Sequence, residues 1–311
     1  MKKYPVKELK SSLLWLIVLF VESAVAGPSA DVLSYNNWEA GEMANMDTMV
    51  LGFIGAGNMN GAILRGVLRQ KRTEPERVWL SNRHPEKLDP FAAEGVHTTT
   101  DNAQVAAHSD LIILGVKPQM FPDVLPELAG ITAGKCVVSI AAGISSESLR
   151  SALPGALVVR AMPNTPLMVG VGATAVARAE GVPEDLFQTV VALFSAAGEV
   201  AVIEERQMDD IINVNGSSPA WFFRMADVMV RRAVSVGIDA QTALTLTAKT
   251  MEGAARLLLE SGKSPEELCR QVCSPGGTTL ASLSAFDDRD FDGLMLDAME
   301  RCTKRSKELG R

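Results

Sequence analysis

Two glycine-rich turns contain the residue types and spacings in this chain that could do chemistry. The first turn reads Gly52-Phe-Ile-Gly-Ala-Gly-Asn-Met59, and the second reads Val272-Cys-Ser-Pro-Gly-Gly-Thr-Thr279. In the first, Gly55 permits a sharp strand-to-helix turn, and Gly57 lets a pyrophosphate approach the backbone at the start of the helix. In the second, the Pro-Gly-Gly run leaves backbone N–H groups that can hold a carboxylate without Lys or Arg. The two turns together predict two bound partners, one of them a small anion.

The first turn departs from the usual dinucleotide fingerprint at one position. Asn60 stands where the third glycine of G-x-G-x-x-G is expected, and Gly61 follows it. That position normally needs a small side chain, because helix and strand pack closely there. We predict a local adjustment around Asn60 and retained binding. A tight turn that binds nothing is the alternative.

The end of the second predicted strand bears on the choice of coenzyme. It reads Ser81-Asn82-Arg83, without the Asp or Glu that bonds the ribose 2′-hydroxyl of NAD. Arg83 can pair with a 2′-phosphate, and the other two side chains can donate hydrogen bonds to it. The sequence therefore favours NADP (NADPH), and NAD remains an alternative. Arg83 on a solvated loop with no role is the competing interpretation.

The elements that must position the first turn alternate along residues 49–207. Apolar runs of strand length are separated by stretches with helical spacing, the pattern of a parallel sheet covered on both faces. We predict an α/β fold, with a Rossmann-type doubly wound sheet in this N-terminal domain. The predicted strands cover 50–54, 78–80, 111–116, 137–140, 157–159, 173–177 and 200–203, and the predicted helices include 61–70 and 183–196.

Residues 208–311 have helical patterns only, at 219–236, 240–261 and 294–309. Leu244, Leu246, Ala248 and Met251 lie in a run that is apolar on most sides, and such a helix must be buried all round. A domain of this size can bury it only against a partner. The pattern predicts an all-α dimerisation domain.

Composition excludes several other classes. The net charge is −7, which disfavours a nucleic-acid partner, since that needs a basic face. The four cysteines show no metal-binding spacing, so we predict no metal site. We also predict no membrane partner.

Residues 1–48 form an N-terminal extension that we exclude from the fold. An apolar run at 13–20 follows two lysines, as in a secretory signal peptide, and it is too short for a membrane span. The alternative is a start codon assigned too far upstream, because Met46 and Met49 lie just before the first strand. We favour this alternative, because a secreted protein would lack a supply of the reduced coenzyme that the first turn predicts. The true start stays open.

At these turns the chain resembles the pyrroline-5-carboxylate reductase family, from about residue 49 to its C-terminus. The Ser-Pro-Gly-Gly-Thr-Thr run at 274–279 is the specific part, and Gly216-Ser-Ser-Pro-Ala220 also resembles a family motif. The resemblance implies NADPH-dependent reduction of 1-pyrroline-5-carboxylate to L-proline, the last step of proline biosynthesis. It also implies a cytoplasmic oxidoreductase that dimerises through its intertwined C-terminal helices. A higher oligomer remains open.

The resemblance also implies the site residues. Thr279 would bond the ring nitrogen of the imine as the catalytic residue, the rest of its loop would hold the carboxylate, and Glu205 would lie beside the substrate. A surface carboxylate at the hinge is the alternative for Glu205. The implied substrate-binding residues are Glu205, Ser274, Gly276, Gly277, Thr278 and Thr279. The predicted coenzyme-binding residues are Gly55, Ala56, Gly57, Asn58, Met59, Ser81, Asn82, Arg83, Asn102, Val116, Lys117, Pro118, Ala141, Ala142, Gly143 and Asn164.

Residues that are missing favour imine reduction over alcohol oxidation. The three histidines all precede residue 109, and the stretch 208–221 lacks the Lys that β-hydroxyacid dehydrogenases use. A protonated imine needs no strong general acid, so positioning and electrostatics suffice. Ile212 and Asn213 depart from the family pattern and put fine substrate positioning in doubt. A reductase of another cyclic imine and a non-catalytic paralogue that acts as a binding module stay open.

Overall fold

The computed structural model describes residue 46 and residues 48–310 of the 311-residue chain. The signal-like run at 13–20 lies outside the described residues. Within them, no helix combines the length and apolar character that a membrane span needs.

One sheet organises residues 51–202. Its eight strands follow the order β3-β2-β1-β4-β5-β6-β7-β8 within the described residues. The strands are β1 Leu51–Ile54, β2 Val78–Ser81, β3 His97–Thr99, β4 Leu111–Leu114, β5 Cys136–Ser139, β6 Leu157–Met162, β7 Gly172–Arg178 and β8 Gly198–Val202. Strands β1 and β4 are buried along their whole length, as continuous apolar runs predict.

The sheet is mostly parallel, and this corrects the expectation of a parallel sheet throughout. Strands β1 to β6 pair in parallel, but β7 pairs antiparallel with β6, and β8 is parallel to β7. A parallel crossover needs about a dozen residues or more. The connection 163–171 is shorter than that, so the chain reverses direction and adds β7 to the edge of β6.

Helices cover the sheet between the strands. They are α1 Asn58–Arg69, α2 Asp89–Ala92, α3 Asn102–His108, α4 Phe121–Leu128, α5 Ser146–Ala152 and α6 Glu184–Ser195. One core cluster joins α3, α4 and α5 to β4 and β5, with Ile112, Leu114 and Leu149 fully buried. Strand β3 is absent from the sequence prediction because it is a polar edge strand, His-Thr-Thr, without a buried apolar run.

The rest of the described chain is helical. It comprises α7 Met208–Ile211, a π-helical turn Ile212–Gly216, α8 Ser218–Ser235, α9 Ala240–Glu260, α10 Pro265–Gln271, α11 Thr278–Asp287 and α12 Phe291–Leu309. The predicted fold class is therefore confirmed: a Rossmann-type sheet is followed by an all-helical part. The boundary at 207/208 stays a prediction.

Helices α8 and α9 carry large apolar side chains that this single chain leaves uncovered. Leu246 in α9 is 63% exposed and Phe223 in α8 is 66% exposed. Leu244 and Ala248, from the run predicted to be buried all round, are also exposed, whereas Met251 is half-buried. Burying such surface is favourable by about 25 cal/mol per Å². The faces of α8 and α9 thus have the character of an interface with a second subunit.

Candidate active site

The glycine turn after β1 has the geometry that a pyrophosphate site needs. Gly55 has φ +94°, which favours glycine, and its N–H donates to Ser81 O at 2.9 Å. Gly57 has an ordinary φ of −78° and is the N-cap of α1, without a side-chain cap. A Cβ at Gly57 would come no closer than 3.9 Å to a protein atom, namely Gly115 O. The described chain thus leaves open space at Gly57, where the sequence predicts that a phosphate approaches the backbone.

Asn60 shows how the missing third glycine is accommodated. Its side chain is fully buried, and its Nδ2 donates to Ile54 O at 3.1 Å and to Gly55 O at 2.8 Å. The room comes from the neighbouring strand end, because a Cβ at Gly115 would lie 2.2 Å from Asn60 Cγ. The amide thus ties the end of β1 to α1, and Gly115 provides the space. This is the local adjustment that the sequence led us to predict.

Ser81, predicted to donate to a phosphate, has its side chain committed inside the protein. Ser81 is fully buried, and its Oγ donates to Asn102 Oδ1 at 2.7 Å. Asn102 Nδ2 in turn donates to Glu127 Oε2 at 2.7 Å. The structure brings these two predicted coenzyme contacts together, but as partners of each other. Ser81 therefore orients Asn102, and its hydroxyl proton is not free for a ligand.

The other two residues of the predicted phosphate-recognition run differ in availability. Asn82 Oδ1 accepts the His84 N–H at 2.9 Å, which closes a turn of the Asx type. Arg83 is exposed, and its Nε donates to His84 Nε2 at 3.2 Å. Its two terminal guanidinium nitrogens have no recorded protein partner within the described chain. Of these three residues, Arg83 is the charged one, and its guanidinium is available to pair with a phosphate.

Three further predicted loops share the carboxyl edge of the sheet. Because β4, β5 and β6 run parallel to β1, the residues after their last positions lie along one edge, where such sheets bind ligands. Asn164, after β6, is buried, and its Oδ1 accepts the Ala173 N–H at 2.9 Å. The other predicted residues on this edge are Val116, Lys117, Pro118, Ala141, Ala142 and Gly143.

Glu205, predicted to lie beside the substrate, has both oxygens engaged by the protein. Oε1 lies 2.9 Å from Arg160 Nη1 and accepts the Ser146 N–H at 3.1 Å, and Oε2 accepts from Ser146 Oγ at 2.8 Å. Arg160 is only 3% exposed. Burial opposes the charge on Glu205, but the Arg160 guanidinium and the Ser146 donors outweigh it, so the pKa of Glu205 is lower than usual. Strand β8 runs against β6, so strand direction alone does not bring Glu205 to the carboxyl edge.

Arg160 also connects the segment after β8 to the C-terminal helix α12. Arg160 Nη2 lies 3.6 Å from Asp209 Oδ1, too far for a hydrogen bond but close enough for an ion pair. Asp209 Oδ1 also accepts from Ser306 Oγ of α12 at 2.9 Å. A Cβ at Gly143 would lie 2.2 Å from Ser306 O. The end of α12 therefore packs directly against the predicted coenzyme loop that follows β5.

The π-helical turn contains the residues that depart from the family pattern. Asn213 Nδ2 donates to Asp210 O at 3.0 Å and to Thr303 Oγ1 at 2.7 Å. Asn215, also buried, donates through Nδ2 to Met162 O at 2.6 Å and to Ala173 O at 3.0 Å. Both asparagine amides thus hold the turn to its neighbours. Ile212 packs against a small core cluster around Met162.

The second glycine-rich run forms a turn followed by a helix start. The Gly277 N–H donates to Ser274 O at 2.9 Å, and Gly276 at φ +69° occupies the third position of a type II turn. Gly277 is the N-cap of α11, so the N–H groups of Thr278, Thr279 and Leu280 have no partner within the helix. The Gly277 N–H is thus already used, and the N–H groups at the start of α11 are available donors in the loop that the sequence predicts to hold an anion.

The structure does not connect the two glycine-rich runs by hydrogen bonds. Within the described residues, the recorded hydrogen bonds of 274–279 stay inside its turn and α11. The histidines do not enter either run: His97 and His108 stack on Trp79 with ring centroids 4.8 and 4.2 Å away. Among the described residues, no three His, Cys, Asp or Glu side chains lie close enough together to hold a metal ion.

Sequence reasoning missed Arg160 and Asp209. Arg160 interrupts an otherwise apolar strand, Leu-Val-Val-Arg-Ala-Met, and β6 is buried at that position. A charged residue in a buried strand requires an opposite charge nearby. The sequence therefore indicated that Arg160 needs a carboxylate partner, but it could not show which Asp or Glu forms the ion pair.

Comparison with known proteins shows relatives that span almost the whole described chain. Residues 205–309 match the family model for pyrroline-5-carboxylate reductase dimerisation, and residues 50–143 match the NADP oxidoreductase coenzyme F420-dependent family. The pyrroline-5-carboxylate reductase of Methanosarcina acetivorans is 38% identical over 270 residues, covering 86% of this chain and 100% of the relative.

Two solved structures extend the similarity to the fold. The Plasmodium falciparum pyrroline carboxylate reductase with NADP bound superposes with a TM-score of 0.79 and 25% identity, covering 86% of this chain and all of that one. The Coxiella burnetii pyrroline-5-carboxylate reductase gives a TM-score of 0.77 with 35% identity, covering 85% of this chain and all of that one.

The ion pair with Arg160 predicts a pH-dependent loss of stability for Glu205→Gln. Because the folded-state pKa of Glu205 is lowered, its charge stabilises the fold above its ordinary pKa, and this stability is lost as pH falls through the folded pKa. We expect the variant to lose about 1.5–3 kcal/mol at pH 7, as for hydrogen bonds to charged groups. The difference from the parent should shrink below about pH 4. Urea unfolding at both pH values measures it.

A matched control is Asp297→Asn in α12. Asp297 pairs with Arg301 at the surface, and both side chains are more than half exposed. Exposed pairs contribute little, so this variant should unfold like the parent at both pH values. Equal losses for the two variants would contradict a special role for the Arg160 pair.

Proposed function

The chain belongs to the pyrroline-5-carboxylate reductase family, and from this membership we propose that it reduces 1-pyrroline-5-carboxylate to L-proline with NADPH. One observation carries the proposal beyond family membership. The 274–279 loop presents the unpaired N–H groups at the start of α11 together with the Thr278 and Thr279 hydroxyls. The first turn of α11 contains no Asp or Glu. This arrangement suits a small carboxylate with a polar ring atom.

The roles of the residues follow from their geometry. NADPH, when bound, supplies the hydride. The Gly55–Gly57 turn and the start of α1 hold its pyrophosphate, and Arg83 pairs with its 2′-phosphate. The helix-start amides at 278–280 hold the substrate carboxylate, while the Thr279 hydroxyl bonds the ring nitrogen. The protonated imine is already electrophilic. The protein therefore has to align the imine carbon with the coenzyme, and no histidine has to donate a proton.

Glu205 enters this proposal as a positioning residue. Both of its oxygens are used by Arg160 and Ser146, and Ser146 starts the helix directly after the 141–143 loop. Glu205 thereby supports the 141–143 loop, which is predicted to line the coenzyme. This replaces direct substrate contact as its proposed role.

The proposal includes a homodimer formed through the C-terminal helices. It is supported by the match of residues 205–309 to a dimerisation family and by the uncovered apolar side chains of α8 and α9. A higher oligomer remains open. We also place the enzyme in the cytoplasm, because the reaction consumes reduced coenzyme that is regenerated there.

The decisive experiment follows NADPH oxidation at 340 nm with purified protein and pyrroline-5-carboxylate, and identifies proline in the product. Turnover with another cyclic imine but not with pyrroline-5-carboxylate would favour a different imine reductase. Coenzyme binding without any turnover would favour a non-catalytic paralogue. Neither alternative is favoured by the relatives of this chain.

Thr279→Val tests the contact with the imine nitrogen. The change keeps the side-chain shape and removes the hydroxyl, and loss of a hydrogen bond in a closed site costs about 1–3 kcal/mol. We expect kcat/KM to fall about 5- to 150-fold, with unchanged coenzyme affinity. Ser284→Ala is the control, because this hydroxyl in the same helix bonds only Ala281 O, at 3.0 Å. Normal turnover in Thr279→Val would place the substrate elsewhere.

Arg83→Ala tests the choice of coenzyme. Its guanidinium is the available charge at the end of β2, so its removal should weaken NADPH binding by about 1.5–3 kcal/mol, as for a charge-assisted contact. NADH lacks the 2′-phosphate and should bind almost as before. Titration of both coenzymes by fluorescence measures the two affinities. Equal losses would remove Arg83 from phosphate recognition.

A further inference from the structure

Two glycines bring the end of α12 into backbone contact with the loop that follows β5. A Cβ at Gly310 would overlap Gly143 O and would lie 2.9 Å from Gly143 C. In the other direction, a Cβ at Gly143 would lie 3.0 Å from Gly310 N and 3.1 Å from Leu309 Cβ. The two segments therefore touch through their main chains, and neither glycine has room for a methyl group.

The backbone conformation gives Gly310 no other reason to be glycine. Its φ of −89° and ψ of 1° are angles that most residues adopt in turns. Gly143 differs, because its φ of +79° favours glycine in addition to the close contact. The missing side chain at Gly310 thus serves the close approach of α12 to the loop.

The end of α12 is the fixed partner in this contact. Ser306 is 2% exposed, and its Oγ donates to Asp209 Oδ1 at 2.9 Å. One turn earlier, Thr303 Oγ1 donates to Asp210 Oδ1 at 2.9 Å. Both carboxylates belong to α7. The segment after β8 therefore holds the last turns of α12 in place.

The loop has hydrogen bonds at its two ends and not in its middle. The Ala141 N–H donates to Ser139 Oγ at 3.3 Å, and the Ser146 N–H donates to Glu205 Oε1 at 3.1 Å. Within the described chain, the N–H groups of residues 142–144 have no recorded hydrogen bond. The middle of the loop is therefore positioned by packing, and the end of α12 is what packs against it at residue 143.

We propose that Gly310 is a positioning residue for the coenzyme and that it acts through the 141–143 loop. The inference rests on the coenzyme in the proposed function. Strands β2 and β5 lie on opposite sides of β1, and the two sides of such a sheet bind the two mononucleotide halves. The end of β2 faces the adenosine half with its 2′-phosphate, so the loop after β5 faces the nicotinamide half. The end of α12 holds this loop in the position that the nicotinamide half requires.

An added methyl group at residue 310 can be accommodated in two ways. It pushes the loop toward the coenzyme, or it moves the end of α12 away from the loop. In the first case the nicotinamide half loses space, and in the second the loop loses its support. Both outcomes weaken binding of the whole coenzyme and leave the adenosine half unaffected.

The test compares Gly310→Ala with the parent for NADPH, NADH and 2′,5′-ADP by titration calorimetry, without the imine substrate. We expect both coenzymes to bind roughly fivefold more weakly, the effect of one methyl group forced into a packed contact. The fragment 2′,5′-ADP contains only the adenosine half, so its affinity should stay within about twofold of the parent's. In turnover, the KM for NADPH should rise by the same factor, and the KM for pyrroline-5-carboxylate should not change.

Two further variants accompany this comparison. Glu308→Ala is the matched control, because this exposed side chain in the same turn pairs with Arg305 at the surface. Exposed pairs contribute little, so the control should bind all three ligands like the parent. Ser306→Ala removes the bond to Asp209 without adding an atom to the contact, and it should weaken both coenzymes but not the fragment.

Equal weakening of NADPH and 2′,5′-ADP in Gly310→Ala would overturn the proposal, and so would affinities equal to those of Glu308→Ala. If Gly310→Ala does not fold, Ser306→Ala decides by the same comparison. Pyrroline-5-carboxylate turnover is measured separately. A parent that binds both coenzymes without turnover would reject the reductase, while the difference between coenzymes and fragment would still decide the role of Gly310.

Discussion

The buried guanidinium of Arg160 is the constraint on which the arrangement of this protein depends. A cation that is 3% exposed inside a strand is costly unless carboxylates reach it. Glu205 and Asp209 supply them, both from the segment that leaves the sheet after β8. Through Ser146 and Ser306, the same carboxylates hold the start of α5 and the end of α12. One buried charge therefore fixes where the helical part joins the sheet and how the 141–143 loop is supported.

Two glycines that follow the ends of β1 and β4 form the second constraint. Gly55 needs its left-handed conformation, and Gly115 gives the Asn60 side chain its space. Asn60 replaces a glycine of the usual fingerprint, yet its side-chain amide donates to two backbone carbonyls at the end of β1. A local sequence motif alone indicates that Asn60 is unfavourable at this position. The space for it is supplied by Gly115, directly after β4 and distant from Asn60 along the chain.

In the proposed function, the chemistry is divided between two kinds of anion site. The coenzyme edge combines a glycine turn with cations, which suits phosphates that carry several charges. The 274–279 loop offers amide N–H groups and hydroxyls, which suit a single carboxylate and a hydrogen bond to the ring nitrogen. This division separates coenzyme from substrate by charge. It also explains why a hydride-transfer site can be built without a histidine at its centre.

The sequence by itself determined the fold class and the glycine turn after β1, and it predicted coenzyme loops at strand ends and a helix start after residue 277. These follow from local rules: the apolar period, the φ demands of glycine and the start of a helix. It did not determine the reversal of β7, the partners of Glu205 and Ser81, or the space for Asn60. Those depend on which distant segments meet: Arg160 with Glu205, Ser81 with Asn102, and Gly115 with Asn60. Only the tertiary structure decides them, because a buried polar group takes the partner that packing places within hydrogen-bond reach, and one sequence does not reveal that distance.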